Sequence, residues 1–504
     1  MMKAYPLADE PGIPSVEWFK DEAVKSAKWA LLNNFIPRLL TLVLTTLLAR
    51  LLTPEDYGLV GIGILVVSLV STIQQTGFSQ ALIQRQDRQE EAASVALWLN
   101  LSLSVVLYVM VWVSAPALAT FYEDPRLVAL LRVLGLQIVI SSMSTIQSSL
   151  MLRQFRFRRL FYIQTASTLA PFLVSIPLVL AGLSYWALIY GSIAGSFVGV
   201  TLFWWFVRWR PRVVFDLQIA RQLSGFGGFV LLESVLAWML VSLDNGIVGK
   251  VLGTKALGLY ALGFNLAVMV ISIPISAITG LTLPLFSRMQ KDPAALRRAY
   301  LAGTRLVATY CIPAGVGLAL ISDPLARLLF GENWTGLGPI LSILALYAGF
   351  GHLWVLSGDA FKALGRPDIL PRIYIPVLVI MIPAYVISAH YGLMAFILVR
   401  SCVVLVGAIP HTWYAVRIMS LPRAYLWQSC HAQLIPTALM AASVLALFKV
   451  FSPAPGSSLD YFILFFAPMI GLLVYLVALY LMDRRLFLSI HSLIKTSIAT
   501  GAAP

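Results

Sequence analysis

Residues 49–63 read ARLLTPEDYGLVGIG, and residues 249–263 read GKVLGTKALGLYALG. At an offset of 200, Leu52, Gly58, Leu59 and Gly63 recur as Leu252, Gly258, Leu259 and Gly263, and Arg50 faces Lys250. Such matches among Leu- and Gly-rich positions are weak alone. Their setting strengthens them, because each segment joins the first apolar run of a six-run block to the second. A second offset, 209, pairs Phe121 with Phe330, Glu123 with Glu332, Arg153 with Lys362, and Arg208 with Arg417. Six crossings is an even number, so both halves enter a membrane in the same sense. The plan is a parallel repeat about an axis along the membrane normal, which many transporters use.

The apolar runs that carry this repeat dominate the chain. Of its 504 residues, 59% are apolar and 12% charged, against about 25% charged in a typical soluble domain. Mean hydropathy is +0.86. A helix of about 20 mostly apolar residues crosses the hydrocarbon and satisfies its own backbone hydrogen bonds there. Runs of that kind predict spans at 31–52, 57–84, 92–113, 127–150, 160–181, 184–207, 229–249, 256–283, 305–322, 337–359, 372–389, 391–416, 427–450 and 460–482. The expected fold class is an all-α membrane protein of about fourteen transmembrane helices. Its segments are an N-terminal stretch (1–28), two six-helix lobes (29–212 and 213–424), an appended helix pair (425–483) and a tail (484–504). Val16 to Lys28 reads as an interfacial or solvated helix leading into the first span, and no cleavable signal peptide is apparent.

A net charge of +14 could point to nucleic acid, but the basic residues lie in short clusters between apolar runs. With the N-terminus taken as cytoplasmic, 27 of the 36 Lys and Arg fall on inner segments and seven on outer ones. That split follows the positive-inside rule and puts both termini in the cytoplasm. The RQFRFRR cluster at 153–159 then reads as a topology signal resting on anionic lipid. Cys311, Cys402 and Cys430 form no close pair, so neither a disulfide framework nor a zinc site is expected.

Two arginines remain inside spans, where a charge costs about 2.5–3.5 kcal/mol on insertion scales. Arg400 lies near the middle of the twelfth span, either in a buried ion pair or facing a cavity. Arg38 lies on the first span, where Asn34, Arg38, Thr41 and Thr45 share one stripe. That stripe faces a cavity unless Arg38 snorkels to the headgroups. The seventh span, the repeat mate of the first, carries Glu233, Asp244 and Asn245. Glu233 and Asp244 are three turns apart and share a face. Glu233 is a candidate partner for Arg38; Asp244, with Asn245 beside it, either lines the cavity on the same face or, near the outer end, is solvated by water. Gln74, Gln75 and Thr76 line the same cavity or bond between helices. The five histidines, at 352, 390, 411, 431 and 491, share no ligand spacing and receive no role.

The stretches ARLLTPEDYGLVGI (49–62), GFSQALIQR (77–85), RQFRFRRL (153–160), LDNGIVGKVLGTKALGLY (243–260), LFGENW (329–334) and KALGRPD (362–368) carry a likeness. Over about residues 25–480 the chain resembles the polysaccharide transporter family of the multidrug/oligosaccharidyl-lipid/polysaccharide exporter superfamily. Within it, the likeness is to lipid-linked oligosaccharide flippases of the colanic-acid exporter type. The resemblance implies two lobes around a central cavity that move an undecaprenyl-diphosphate-linked glycan across the bacterial inner membrane by alternating access. The implied partners are that glycan, membrane lipids, and a glycan polymerase with its export machinery. No cofactor is expected, and a coupling ion, H+ or Na+, stays open. Many relatives carry an acidic residue just before the helix-2 glycine, where this chain has Thr76, which weighs against ion coupling there.

Two other readings compete. A drug or cation antiporter of the same superfamily wants acids deep in the first lobe, and no predicted span in 31–207 contains Asp or Glu. A glycan polymerase or ligase wants a long outer catalytic loop, and the predicted outer loops are short. The chain also lacks a GxxxxGK[ST] phosphate loop.

Overall fold

The computed structural model describes residues 16–84, 88–154, 156–213, 216–422, 424–451 and 458–484. Among these, every regular element is helical. The first lobe comprises α1 (Val16–Leu51), α2 (Pro54–Gln84), α3 (Gln89–Tyr122), α4 (Arg126–Leu134), α5 (Leu136–Arg153), α6 (Phe157–Leu180) and α7 (Trp186–Phe206). The second comprises α8 (Leu217–Arg288), α9 (Pro293–Phe330), α10 (Leu337–Gly351), α11 (Val355–Ala363), α12 (Ile369–Ala389) and α13 (Leu393–Met419). Two helices follow, α14 (Tyr425–Phe451) and α15 (Ser458–Met482).

Twelve helical stretches among the described residues are long and apolar enough to cross a membrane. One of them, Ser234–Ser276 in α8, has 43 residues. At 1.5 Å per residue it would run roughly 65 Å, about twice the hydrocarbon thickness. It breaks at Gly253, with φ 84° and ψ 176°, a conformation that glycine adopts without a Cβ penalty. The stretch is therefore two crossings. The loop expected between 249 and 256 is this single kinked residue, since helical backbone runs up to it on both sides. The pairs α4–α5 and α10–α11 each make one interrupted crossing, Arg126–Leu152 and Leu337–Ala363. Helix α1, whose apolar run is diluted by Asn33, Asn34 and Arg38, completes the fourteen.

Glycines set the close approaches. Within the first lobe, a Cβ on Gly191 would lie 2.7 Å from the Pro171 carbonyl oxygen, so α7 meets α6 backbone to backbone. Within the second, Gly315 of α9 and Gly349 of α10 face each other in the same way. Without a hydrophobic drive between helices in lipid, small residues of this kind carry the packing. Helix α14 lies against α9, and α15 against α14. An Arg305–Asp483 ion pair ties the end of α15 back to α9.

Candidate substrate cavity and interlobe seal

The lobes meet most extensively where α2 runs against α8 on both sides of Gly253. A Cβ on Gly58 would lie 1.7 Å from the Thr254 carbonyl oxygen, and one on Gly258 would lie 1.8 Å from that of Pro54. Gly58 and Gly258, and Pro54 and Thr254, are both pairs at the offset of 200. One contact is thus made twice about a pseudo-twofold axis, as a parallel repeat requires.

The flanking cations obey the same symmetry. Arg50 of α1 donates from Nε to the Leu329 carbonyl at 2.7 Å and from Nη2 to that of Leu328. Both carbonyls belong to the last turn of α9, where a cation meets the negative end of the helix dipole. Lys250 of α8 donates to Glu123, which caps α3, at 2.7 Å, and lies over the Phe121 ring. This hydrogen bond holds the Glu123 carboxyl below its ordinary range. Trp334 Nε1 donates to the Ala49 carbonyl at 2.7 Å, and its ring packs edge-on to Tyr57. Together these contacts close one end of the interface between the lobes.

Away from that end the lobes separate around a cavity of about 410 Å³. Arg38 enters it from α1, twelve residues or about 18 Å along the helix from Arg50. The facing wall is one stripe of α8, with Asn265, Ser272, Ser276 and Thr279, and His352 closes it from the end of α10. No acidic side chain lines it among the described residues. Asn265 and His352 carried no expectation from sequence. His352 was legible as the lone histidine inside the run 337–359, since an ionisable residue at membrane depth calls for a function.

The other candidates fall elsewhere. Asp244 and Arg400 pair with each other, Arg400 Nε donating to Asp244 Oδ2 at 2.8 Å with side chains 1% and 2% exposed. Tyr260 donates to the same oxygen at 2.5 Å, and Asn245 donates from its side chain to Oδ1 at 3.0 Å. The guanidinium carbon lies 4.4 Å from the Phe264 ring centre and 4.5 Å from that of Tyr347. The sequence placed Asp244 where water reaches it, yet α13 and the aromatic rings of α8 and α10 close over it. Neither residue reaches the Arg38 cavity in this conformation. Gln74 is buried and donates to the Ile138 carbonyl of α5. Thr41 donates to the Pro37 carbonyl of its own helix. The side chains of Asn34, Gln75 and Glu233 lie outside the described residues, so the expected Glu233–Arg38 pair does too.

Two further hollows lie among the described residues. One, of about 590 Å³ inside the first lobe, is edged by Tyr57, Ser68, Ser71, Thr72, Gln137 and Ser192. The other is an apolar groove of about 640 Å³ between α8, α9, α14 and α15. Val270 of the groove adjoins Met269 of the cavity on α8.

Residues 47–339 match the family model described as "Polysaccharide biosynthesis protein". The chain is 28% identical to the teichuronic acid biosynthesis protein TuaB of Bacillus subtilis (strain 168), over 69% of its own length and 72% of TuaB. It is 26% identical to the lipopolysaccharide biosynthesis protein WzxC of Escherichia coli (strain K12), over 74% and 76% of the two chains. With the succinoglycan biosynthesis transport protein ExoT of Rhizobium meliloti (strain 1021) it shares 25% identity over 92% and 93%. The fold is similar to that of the lipid II flippase MurJ in an inward closed conformation, with a TM-score of 0.68, 15% identity, and coverage of 93% of this chain and 99% of MurJ. An inward-facing multidrug MATE transporter of the MOP superfamily aligns with a TM-score of 0.61 and 17% identity, over 79% of this chain and 94% of its own. The chain belongs to the polysaccharide biosynthesis protein family, built as a fourteen-helix, two-lobed membrane protein.

Proposed function

We propose that this protein is a flippase that carries an undecaprenyl-diphosphate-linked oligosaccharide across a bacterial inner membrane for surface polysaccharide synthesis. One observation carries the reading. The cavity between the lobes presents a guanidinium, three hydroxyls, one amide and an imidazole, and no acid among its described lining residues. Such a wall suits an anionic, hydroxyl-rich headgroup and repels a cationic drug. Guanidinium stays ionised in a low-dielectric site and donates paired hydrogen bonds to phosphate oxygens. The groove beside α14 and α15 offers an apolar channel for a polyprenyl tail one helix away from the headgroup cavity.

In this proposal both termini are cytoplasmic, which the distribution of Lys and Arg supports. The Gly58–Gly258 seal then closes the outer face while the cavity serves the inner one. The protein transports rather than catalyses, and its working partners are a lipid-linked glycan and the polymerase that uses it.

Arg38→Ala should abolish glycan export at unchanged membrane abundance, while Arg38→Lys should keep part of it, because a point charge replaces a fork. Surface glycan measured against the amount of inserted protein is the readout. Normal export by Arg38→Ala at normal abundance would make the arginine a headgroup anchor and remove the basis of this mechanism.

A further inference from the structure

We infer that His352 is the second cation of the headgroup site, so that a diphosphate is held between Arg38 of one lobe and His352 of the other. The inference rests on the flippase reading above and adds to it a residue and a pH dependence.

His352 stands at the end of α10, at the break before α11. Its Nδ1 lies 2.7 Å from the Ala348 carbonyl, so Nδ1 carries a hydrogen. No hydrogen bond to Nε2 is present among the described residues. The ring lines the same cavity as Arg38. In the neutral form Nε2 can only accept, and it repels a phosphate oxygen. In the protonated form it donates to one. Protonation of Nε2 therefore tightens the hold on an anion, so the site binds one more firmly in acid than where the ring is neutral.

Among its described lining residues the cavity holds no acidic side chain. From α1 the cavity receives Arg38, and from α8 it receives Asn265 and the hydroxyls of Ser272, Ser276 and Thr279. Tyr310 of α9 is committed to the Val270 carbonyl. Asp359 of α11 accepts from Thr282, and His411 of α13 lies against Ser357. Cys430 of α14 packs in an apolar cluster with Ala308 and Ile312. The side chain of Glu233, on the first half of α8, lies outside the described residues. The two cations belong to different lobes, so a bound diphosphate bridges them and favours their approach.

The test uses the purified full chain in detergent, with farnesyl diphosphate as the lipid probe and inorganic pyrophosphate as the soluble one. Affinity is measured by calorimetry at about pH 5.5 and about pH 7.5. Dividing each value by that of His352→Arg cancels titration of the probe itself. On that scale the wild type should bind farnesyl diphosphate about tenfold tighter at the lower pH. His352→Gln should stay at the weak, high-pH affinity throughout, with an unchanged unfolding midpoint. A wild type with no pH step, or His352→Gln titrating like the wild type, overturns the assignment. If Arg38→Ala loses binding in that case, the flippase reading survives without the histidine. If the wild type binds no farnesyl diphosphate at either pH, the headgroup reading falls as well. Pyrophosphate binding as tightly as the lipid probe would make the site one for a soluble anion and end the lipid-linked assignment.

Discussion

Asp244→Ala will destabilise the fold by about 3–5 kcal/mol, the range for breaking a buried ion pair by removing one partner, and most of the protein will fail to accumulate in the membrane. The carboxylate accepts from Arg400, Tyr260 and Asn245. Its loss strands a guanidinium that is 2% exposed, with aromatic faces as its main remaining neighbours. Arg400 Nη1 already lacks a hydrogen-bond partner, so no spare acceptor waits to compensate. Arg400→Met should be similarly damaging, because it leaves the carboxylate uncompensated. The informative variant is Asp244→Leu with Arg400→Met. Removing both charges also removes the need to neutralise them, so the double variant should recover most of the lost abundance. Membrane level by immunoblot and the unfolding midpoint of purified protein are the readouts. Single variants that accumulate like the wild type would show that the pair contributes nothing to stability. A double variant as poor as either single one would mean that the charges matter separately rather than as a pair.

Gly58→Val and Gly258→Val should each abolish export by preventing the seal from closing. Real Cβ atoms essentially never approach a heavy atom within 3.0 Å, yet the contacts here would be 1.7 Å and 1.8 Å, to backbone oxygens that no side-chain rotation can move. Closing the seal around a valine would need α2 and α8 to part by more than an ångström along the whole crossing. The Lys250–Glu123 and Arg50–α9 contacts would part with it. Cysteines at Glu123 and Lys250, bridged by a short bis-thiol reagent in the wild-type background, should stop cross-linking when either valine is introduced. Gly280→Ala is the matched control, since nothing lies within 4 Å of the Cβ it would add. Retained cross-linking and export in Gly58→Val would mean that the close crossing is dispensable.

The fold was legible because a membrane span is a length of apolar chain, and Leu- and Val-rich runs of that length recur throughout the sequence. The repeat was legible where a glycine is required by geometry, at Gly58 and Gly258. The kink was not, because Gly253 sits among other glycines and only its backbone angles distinguish it. The site was read in part. Arg38 stands out as a charge in a span, but the partners of Arg400 and Asp244 are 156 residues apart in the chain, and single-helix periodicity carries no information about which helices meet. Depth arguments matched Arg38 with Glu233. They could not show that Asp244 would be taken by α13, or that α8 would offer Arg38 a wall of hydroxyls. His352 shares no ligand spacing with the other histidines, and only its depth in the membrane marks it.

The doubled glycine contact has an evolutionary reading. Gly58 against Thr254 and Gly258 against Pro54 is the form of an isologous interface, in which one surface meets a copy of itself across a twofold axis. Within a single chain that arrangement is what a fused homodimer leaves behind. A six-helix ancestor pairing with itself in one orientation would have needed only one glycine, one helix-entry residue and one cation to build both sides of the joint. On that reading fusion frees the two copies to differ, and the flanking cations do differ. Arg50 now caps a helix end while Lys250 holds a carboxylate. The glycines are alike because each rests on the backbone of the other half, where a Cβ has no room.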